Sequence, residues 1–151
     1  MSEELLTSDA TSRNNAAIRA HGHRWNRVAL VYARFALGLA FLSAVAARFG
    51  LWQGRISYEY FARFLVYAAQ VNSFMPVRIV PLLAWTATVA ETTFGIALIV
   101  GFRTRWAAFG SAILLAMFGT AMAISFGPES PMDYSVFSAS ACAVLVGLLS
   151  D

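Results

Sequence analysis

The sequence predicts an all-α membrane protein, built as a bundle of four transmembrane helices with an amphipathic helix between the first and the second. Two observations carry this prediction. Hydrophobic residues make up 59% of the 151 residues and charged residues only 13%, whereas soluble domains average about 25% charged residues. The apolar residues also fall into long runs separated by short polar turns. The length suits a single domain, which has too few charges to cover a surface exposed to water.

A polar, arginine-containing tail, residues 1–27, precedes the membrane domain, and we expect it to be disordered or interfacial. The membrane domain then occupies residues 28–151. About 20 apolar residues in a helix cross a hydrocarbon layer of about 30 Å. Four runs reach or approach that length, and the fourth is the shortest: 28–47, 79–101, 106–126 and 134–149.

Residues 58–71 follow a different pattern, because Glu59, Arg63 and Gln70 form a polar stripe at helical spacing. Glu59 precedes Arg63 by four residues, which is the favourable order for a helical ion pair. We expect an amphipathic helix that lies at the membrane surface or against the bundle. We expect its aromatic residues to pack at the membrane interface, although a quinone ring could also lie against them; they are Tyr58, Tyr60, Phe61, Phe64 and Tyr67.

The basic excess indicates membrane topology rather than nucleic-acid binding. All 11 basic residues are arginines, the net charge is +3, and no basic run carries the interleaved aromatics of nucleic-acid modules. With four spans, the tail and the loop 101–105 share one side and carry more arginines than the other side. The positive-inside rule therefore favours both termini in the cytoplasm.

We expect no covalently bound cofactor and no metal ligation. The predicted spans contain no histidine, which excludes a haem held by paired axial histidines within the bundle. His21 and His23 are two residues apart and do not share a helix face, so a metal site there is not expected. The lone Cys142 is predicted to be a small packing residue.

One acidic residue, Glu91, lies near the middle of the second apolar run. A charged side chain at the centre of a bilayer costs about 3 kcal/mol on insertion scales, so Glu91 needs an interior position and a partner. Ala87 and Gly95 flank it at four-residue spacing and should turn it towards a packed face, since small residues mark helix contacts in lipid. The corresponding stripe of the first span is Ala36, Ala40 and Ala44.

The depths of the charged residues favour Arg34 as the partner. Arg34 is six residues from Val28, about 9 Å below the tail-side surface, and Glu91 is ten residues before Gly101, about 15 Å from the same surface. An arginine side chain can bridge this difference. We predict that Arg34 and Glu91 form an ion pair or a hydrogen-bonded network, supported by donors among Thr88, Thr92, Ser111 and Thr120.

Two groups of residues resemble the signatures of the DoxX family, whose members are small bacterial membrane proteins with four spans. The first group is Arg34-x3-Gly38-x2-Phe41, with Arg48 at the end of the helix. The second group is Glu91-x3-Gly95-x5-Gly101-x-Arg103-x-Arg105-x-Ala107. Thr92 and Thr93 depart from the family pattern, which commonly continues with glycines after the acid. The resemblance covers residues 28–149.

The resemblance implies a multi-pass fold in the bacterial plasma (inner) membrane. Some DoxX-like proteins are subunits of thiosulfate:quinone oxidoreductase or associate with a terminal quinol oxidase, and others assemble with soluble redox enzymes. We therefore expect a non-haem membrane subunit or anchor of a quinone-linked oxidoreductase assembly, an accessory subunit rather than a catalyst on its own. Its expected partners are the lipid bilayer and soluble or membrane redox proteins, and both homo- and hetero-oligomers are compatible with this expectation.

Two alternatives stay open from the sequence. In one, the protein is a non-catalytic membrane scaffold and the Arg–Glu pair is purely structural. In the other, it is a small proton-coupled transporter, although the internal repeats and broken helices typical of such folds are not visible. No residue is assigned a catalytic role. The candidates for ligand binding or proton relay are Glu91, Arg34, Thr88, Thr92 and Arg48.

Overall fold

A computed structural model describes the backbone of residues 2–150 and the side chains of residues 25–150. Every regular element in this part of the chain is helical. The predicted tail, up to residue 24, and the two histidines therefore lie outside the described side chains. The helices are α1 Ser2–Arg48, α2 Tyr58–Val71, α3 Val80–Val100, α4 Thr104–Phe126, α5 Glu129–Asp133 and α6 Val136–Leu149.

The chain divides into two compact units, Met1–Tyr32 and Ala33–Asp151. The first unit is the N-terminal part of α1. The second unit contains the rest of α1 and the helices α2 to α6, and all interactions described below lie within it.

In the part of the chain that the structure describes, three helices are long and apolar enough to cross a membrane, which confirms a multi-pass, all-helical membrane protein. They are Trp25–Arg48, Val77–Val100 and Thr104–Phe126. Helix α6 has 14 residues, which corresponds to about 21 Å at 1.5 Å per residue and is shorter than the hydrocarbon layer. The fourth span therefore stays a prediction.

Helix α2 occupies the segment that carries the polar stripe. Ser57 is the N-cap of this helix, and its side-chain oxygen accepts a hydrogen bond from the Glu59 backbone N–H at 3.2 Å. On its exposed side, Arg63 and Glu59 form an ion pair of 2.6 Å, while Phe61, Ala68 and Val71 are buried. The segment is thus an amphipathic helix whose apolar side packs on the protein.

Helices α1 and α3 approach each other through glycine. A Cβ atom on Gly38 would lie 2.7 Å from Ile99 Cγ1 and 2.9 Å from the Gly95 carbonyl oxygen, so only glycine fits. This contact turns Leu37, Gly38 and Phe41 inward and leaves the predicted stripe of α1 exposed. The expectation that Ala36, Ala40 and Ala44 form the packed face is therefore wrong, because glycine permits a closer helix approach than alanine does.

Helix α6 packs along α4. Gly119 and Gly147 receive the rings of Phe137 and Phe109 respectively. The Ser140 hydroxyl donates to the Ala112 carbonyl oxygen at 2.8 Å, which ties the two helices across their interface. Close contacts to small residues and interhelical hydrogen bonds are the usual means by which helices associate in lipid.

The α1–α3 contact predicts that Gly38→Leu destabilises the protein, because the added side chain has no space. Overpacking of this kind costs about 1–3 kcal/mol. We expect a lower thermal unfolding temperature in detergent micelles. Ala36→Leu adds similar bulk on the exposed face of the same helix and is the control. Equal unfolding temperatures for the two variants would contradict the observed helix contact.

Candidate functional site

Glu91 lies on α3 and is 2% exposed, so the carboxylate is inside the bundle as its flanking small residues predict. Its partner is Arg48, whose Nη2 lies 2.7 Å from Glu91 Oε1. Arg48 Nη1 donates to Thr88 Oγ1 at 3.1 Å, and the Thr88 hydroxyl donates in turn to the Ala84 carbonyl oxygen at 2.8 Å. The three polar side chains form one connected network between α1 and α3.

The predicted ion pair between Arg34 and Glu91 is wrong, and the helix register explains why. Gly38 lies against Ile99. Ten residues further along α1 is Arg48, and eight residues back along the antiparallel α3 is Glu91, so these two share a level. The prediction from sequence assumed that Val28 lies at the same depth in the membrane as Gly101. In the structure, Arg34 lies beside Gly101. This error of six residues corresponds to about 9 Å.

Arg34 instead caps the C-terminal end of α3. Its Nε and Nη2 atoms both donate to the Leu98 carbonyl oxygen, at 3.1 and 3.0 Å. The last four carbonyls of a helix lack intrahelical donors and carry partial negative charge, which a guanidinium complements. Gly101 has φ of 83°, a left-handed backbone conformation that favours glycine, and it lies against the Arg34 guanidinium.

Three of the four predicted supporting donors do not reach the pair. Each hydroxyl donates to the carbonyl oxygen four residues earlier in its own helix. These bonds are Thr92 to Thr88 at 2.7 Å, Ser111 to Ala107 at 2.7 Å and Thr120 to Ala116 at 2.8 Å. Of the four, only Thr88 belongs to the network.

Helix α2 also contacts the Arg48–Glu91 pair, in addition to α1 and α3, which carry the two charged residues. The Arg48 guanidinium carbon lies 4.0 Å above the centre of the Phe64 ring, a cation–π contact in a water-poor position. Phe61 is fully buried and packs on Phe49 and Trp85, with ring centres 5.6 and 4.5 Å apart. These contacts hold one end of α2 against α1 and α3.

The other end of α2 is tied to α4. The Ser125 hydroxyl donates to the Val71 carbonyl oxygen at 2.6 Å, and its oxygen lies 3.1 Å from the Ser73 hydroxyl. Asn72 follows the last residue of α2, and its side-chain amide donates to the Ala68 carbonyl oxygen at 2.9 Å, which gives this carbonyl at the helix end a hydrogen bond. Both ends of α2 are therefore anchored on the bundle.

A cavity of about 270 Å³ lies between α2, α3 and α4, and Arg48 forms part of its wall. Most of the lining is apolar, contributed by residues such as Phe64, Ala84, Ala87, Leu114 and Phe118. Concave, mainly apolar cavities with a few polar groups are typical ligand sites. Two of the lining residues, Phe64 and Tyr67, belong to the aromatic stripe of α2, against which a quinone ring could also lie according to the sequence.

Tyr67 and Met117 line the cavity and are 43% and 62% exposed, and Thr86 is exposed beside them. These residues form its mouth. Burial, with a smaller contribution from Tyr134, raises the pKa of the Tyr67 phenol above its ordinary value, so the phenol stays protonated at neutral pH. Among the described residues, no three His, Cys, Asp or Glu side chains are grouped in a way that could hold a metal ion.

The network predicts that Arg48→Met is strongly destabilising, since Glu91 would keep a buried charge without a partner. Breaking a buried pair in this way costs about 3–5 kcal/mol. The double variant Arg48→Met/Glu91→Met removes both charges and should recover most of the loss. Unfolding in detergent micelles measures both effects, and a double variant less stable than Arg48→Met would contradict the pairing.

The cap predicts a smaller and separate effect for Arg34→Met. Loss of the two bonds to Leu98 should cost about 1–3 kcal/mol and should speed amide exchange at the C-terminal end of α3. The effects of Arg34→Met and of the Arg48/Glu91 double variant should add, because the two sites share no partner. Strong non-additivity in the triple variant would show that Arg34 belongs to the Glu91 network after all.

Comparison with known proteins places this arrangement in a family. The family model DoxX matches residues 29–125, well over half of the chain, and the match includes Arg34, Arg48 and Glu91. Comparisons with curated proteins and with solved structures give no match. The matched region covers the second candidate membrane span completely, the first from residue 29 onwards and the third up to residue 125. The chain is therefore an integral membrane protein of the DoxX family.

Proposed function

We propose that this protein is a non-haem membrane subunit of a quinone-linked oxidoreductase assembly, and that the cavity between α2, α3 and α4 binds the quinone. The observation that supports this most is the position of Arg48, the one charged residue, within the described part of the chain, in the wall of a mainly apolar cavity. A quinone combines a flat apolar ring with carbonyl oxygens that only accept hydrogen bonds. Guanidinium N–H groups supply the matching donors.

The surroundings of Arg48 suit such a role. Its side chain is only 11% exposed, so a hydrogen bond from it to a ligand forms where water competes weakly. The Phe64 ring lies beside the guanidinium and also lines the cavity, where it offers a face for ring stacking. Arg48 would fix the carbonyl oxygen, and Phe64 and Tyr67 would position the ring.

The position of the cavity's mouth is consistent with a ligand that is dissolved in the lipid bilayer. The cavity walls near the exposed Thr86 and Met117 belong to α3 and α4, both within candidate membrane spans. A molecule dissolved in the bilayer can reach such an opening directly. In this proposal the redox cofactors reside on partner proteins, the chain lies in the bacterial inner membrane, and both termini are cytoplasmic.

A non-catalytic scaffold is the second candidate, and one observation favours it. Arg48 already contacts Glu91, Thr88 and Phe64, so it joins three helices without any ligand. In this alternative the pair sets helix register and the cavity is occupied by lipid. The transporter alternative gains no support from the described residues, because α3 and α4 run without interruption.

Filling the cavity tests the proposal. Ala87→Phe places a ring in the cavity, and we expect at least a tenfold loss of affinity for decylubiquinone in lipid nanodiscs, measured by quenching of tryptophan fluorescence. Ile113→Phe adds a similar group at an exposed position of α4 that does not line the cavity, and it should bind like the unchanged protein. Ala87→Leu serves if the larger substitution prevents folding.

The same variants separate the two candidates in the host membrane. At equal protein abundance, Ala87→Phe should lower electron transfer to added decylubiquinone relative to Ile113→Phe. The scaffold alternative predicts that activity follows abundance alone. Unchanged quinone binding and unchanged electron transfer in Ala87→Phe would overturn the proposed function.

A further inference from the structure

Tyr67 lies at the mouth of the cavity, and its hydroxyl makes no hydrogen bond to any other residue that the structure describes. The other uncharged polar side chains of the wall differ from it. The Thr86 hydroxyl donates to the Leu82 carbonyl oxygen at 2.8 Å, and the Asn72 amide donates to the Ala68 carbonyl oxygen at 2.9 Å. Because burial raises the pKa of the Tyr67 phenol, its proton is present at neutral pH and can be donated to a ligand.

Tyr67 and Arg48 stand at opposite ends of the cavity. The Tyr67 ring centre lies 6.3 Å from that of Phe126, the last residue of α4. Arg48, in contrast, pairs with Glu91 near the middle of α3. Phe64 lies one helical turn before Tyr67 on the same face of α2, and its ring centre is 4.0 Å from the Arg48 guanidinium carbon. The wall thus offers a donor at its inner end, an aromatic face along its side and a second donor at its mouth.

Arg48 retains donors for a ligand at the inner end. A guanidinium has five N–H groups. One on Nη1 donates to Thr88 and one on Nη2 donates to Glu91, so three of the five are left over by these two bonds.

A para-quinone has the complementary pattern. It carries one carbonyl oxygen at each end of a flat apolar ring, and each oxygen only accepts hydrogen bonds. A ligand with a single carbonyl group can use the donor at one end of the cavity but not the donors at both ends. The two ends of the cavity therefore distinguish a quinone from a simple ketone of the same shape.

Resting on the proposed function, we propose that the Tyr67 hydroxyl donates a hydrogen bond to the outer carbonyl oxygen of the quinone while Arg48 holds the inner one, so that the cavity selects ligands with an acceptor at both ends of the ring. Tyr67 is then a specificity-determining residue. The proposal assigns the phenol a role that the ring alone cannot supply, because stacking needs no hydroxyl group.

The test compares two probes, 9,10-anthraquinone and anthrone, in lipid nanodiscs that contain the full chain. Anthrone keeps the three fused rings but has a methylene group in place of one of the two opposite carbonyl groups. Empty nanodiscs correct for partitioning into lipid. We expect the unchanged protein to bind anthraquinone about threefold to tenfold more tightly than anthrone, which is the usual net effect of one neutral hydrogen bond.

Tyr67→Phe removes the hydroxyl and keeps the ring. It should lose this preference through weaker binding of anthraquinone, with the affinity for anthrone unchanged. Tyr58→Phe is the matched control, because Tyr58 belongs to the same helix, is 66% exposed and does not line the cavity. This control should keep the full preference. The unfolding temperature of each variant checks that the fold is retained.

The outcomes separate this inference from the proposed function. Equal binding of both probes by the unchanged protein, with decylubiquinone still bound, overturns the inference alone. A preference that survives in Tyr67→Phe also overturns it, and so does a loss of affinity by the same factor for both probes, which would indicate a structural role of the hydroxyl. Failure of decylubiquinone and both probes to bind overturns the proposed function as well.

Discussion

The ion pair between Arg48 and Glu91 is the interaction on which the rest of the bundle depends. Neither charge can be placed in lipid alone at an acceptable cost, so α1 and α3 must align at the one register that brings them together. Gly38 makes this register possible by removing the side chain that would hold the helices apart. Once Arg48 is fixed, its guanidinium also positions Phe64 and thereby α2. One electrostatic constraint thus organises three helices.

The properties that follow from local sequence could be predicted, and those that depend on register could not. Helical spacing identified α2, and the small residues around Glu91 identified its buried face. The partner of Glu91 was missed because the level of each residue was counted from the edge of an apolar run. The close glycine contact, rather than that edge, sets the level of Arg34 and Arg48. Gly38 was visible in the sequence as the signal that could have corrected this.

In the candidate site, too, local properties could be predicted from the sequence, whereas contacts between helices could not. Thr88 joins the network and Thr92 does not, although both are hydroxyls within one turn of Glu91. A hydroxyl in a helix can always donate to its own backbone, so sequence alone cannot say which one will also meet a partner from another helix. The cavity arises only when α2, α3 and α4 come together, and no single segment encodes its volume.

The anchoring of α2 at both ends has a consequence for kinetics. Ser125 holds one end, and the contact between the rings of Phe61 and Trp85 holds the other, so α2 does not serve as a hinged cover. Exchange of the proposed quinone would then depend on rotamer changes of mouth residues such as Met117, which occur within picoseconds to nanoseconds for exposed side chains. Residence time in the cavity would be governed by the strength of the polar contacts at its inner end, and not by a slow opening of the protein.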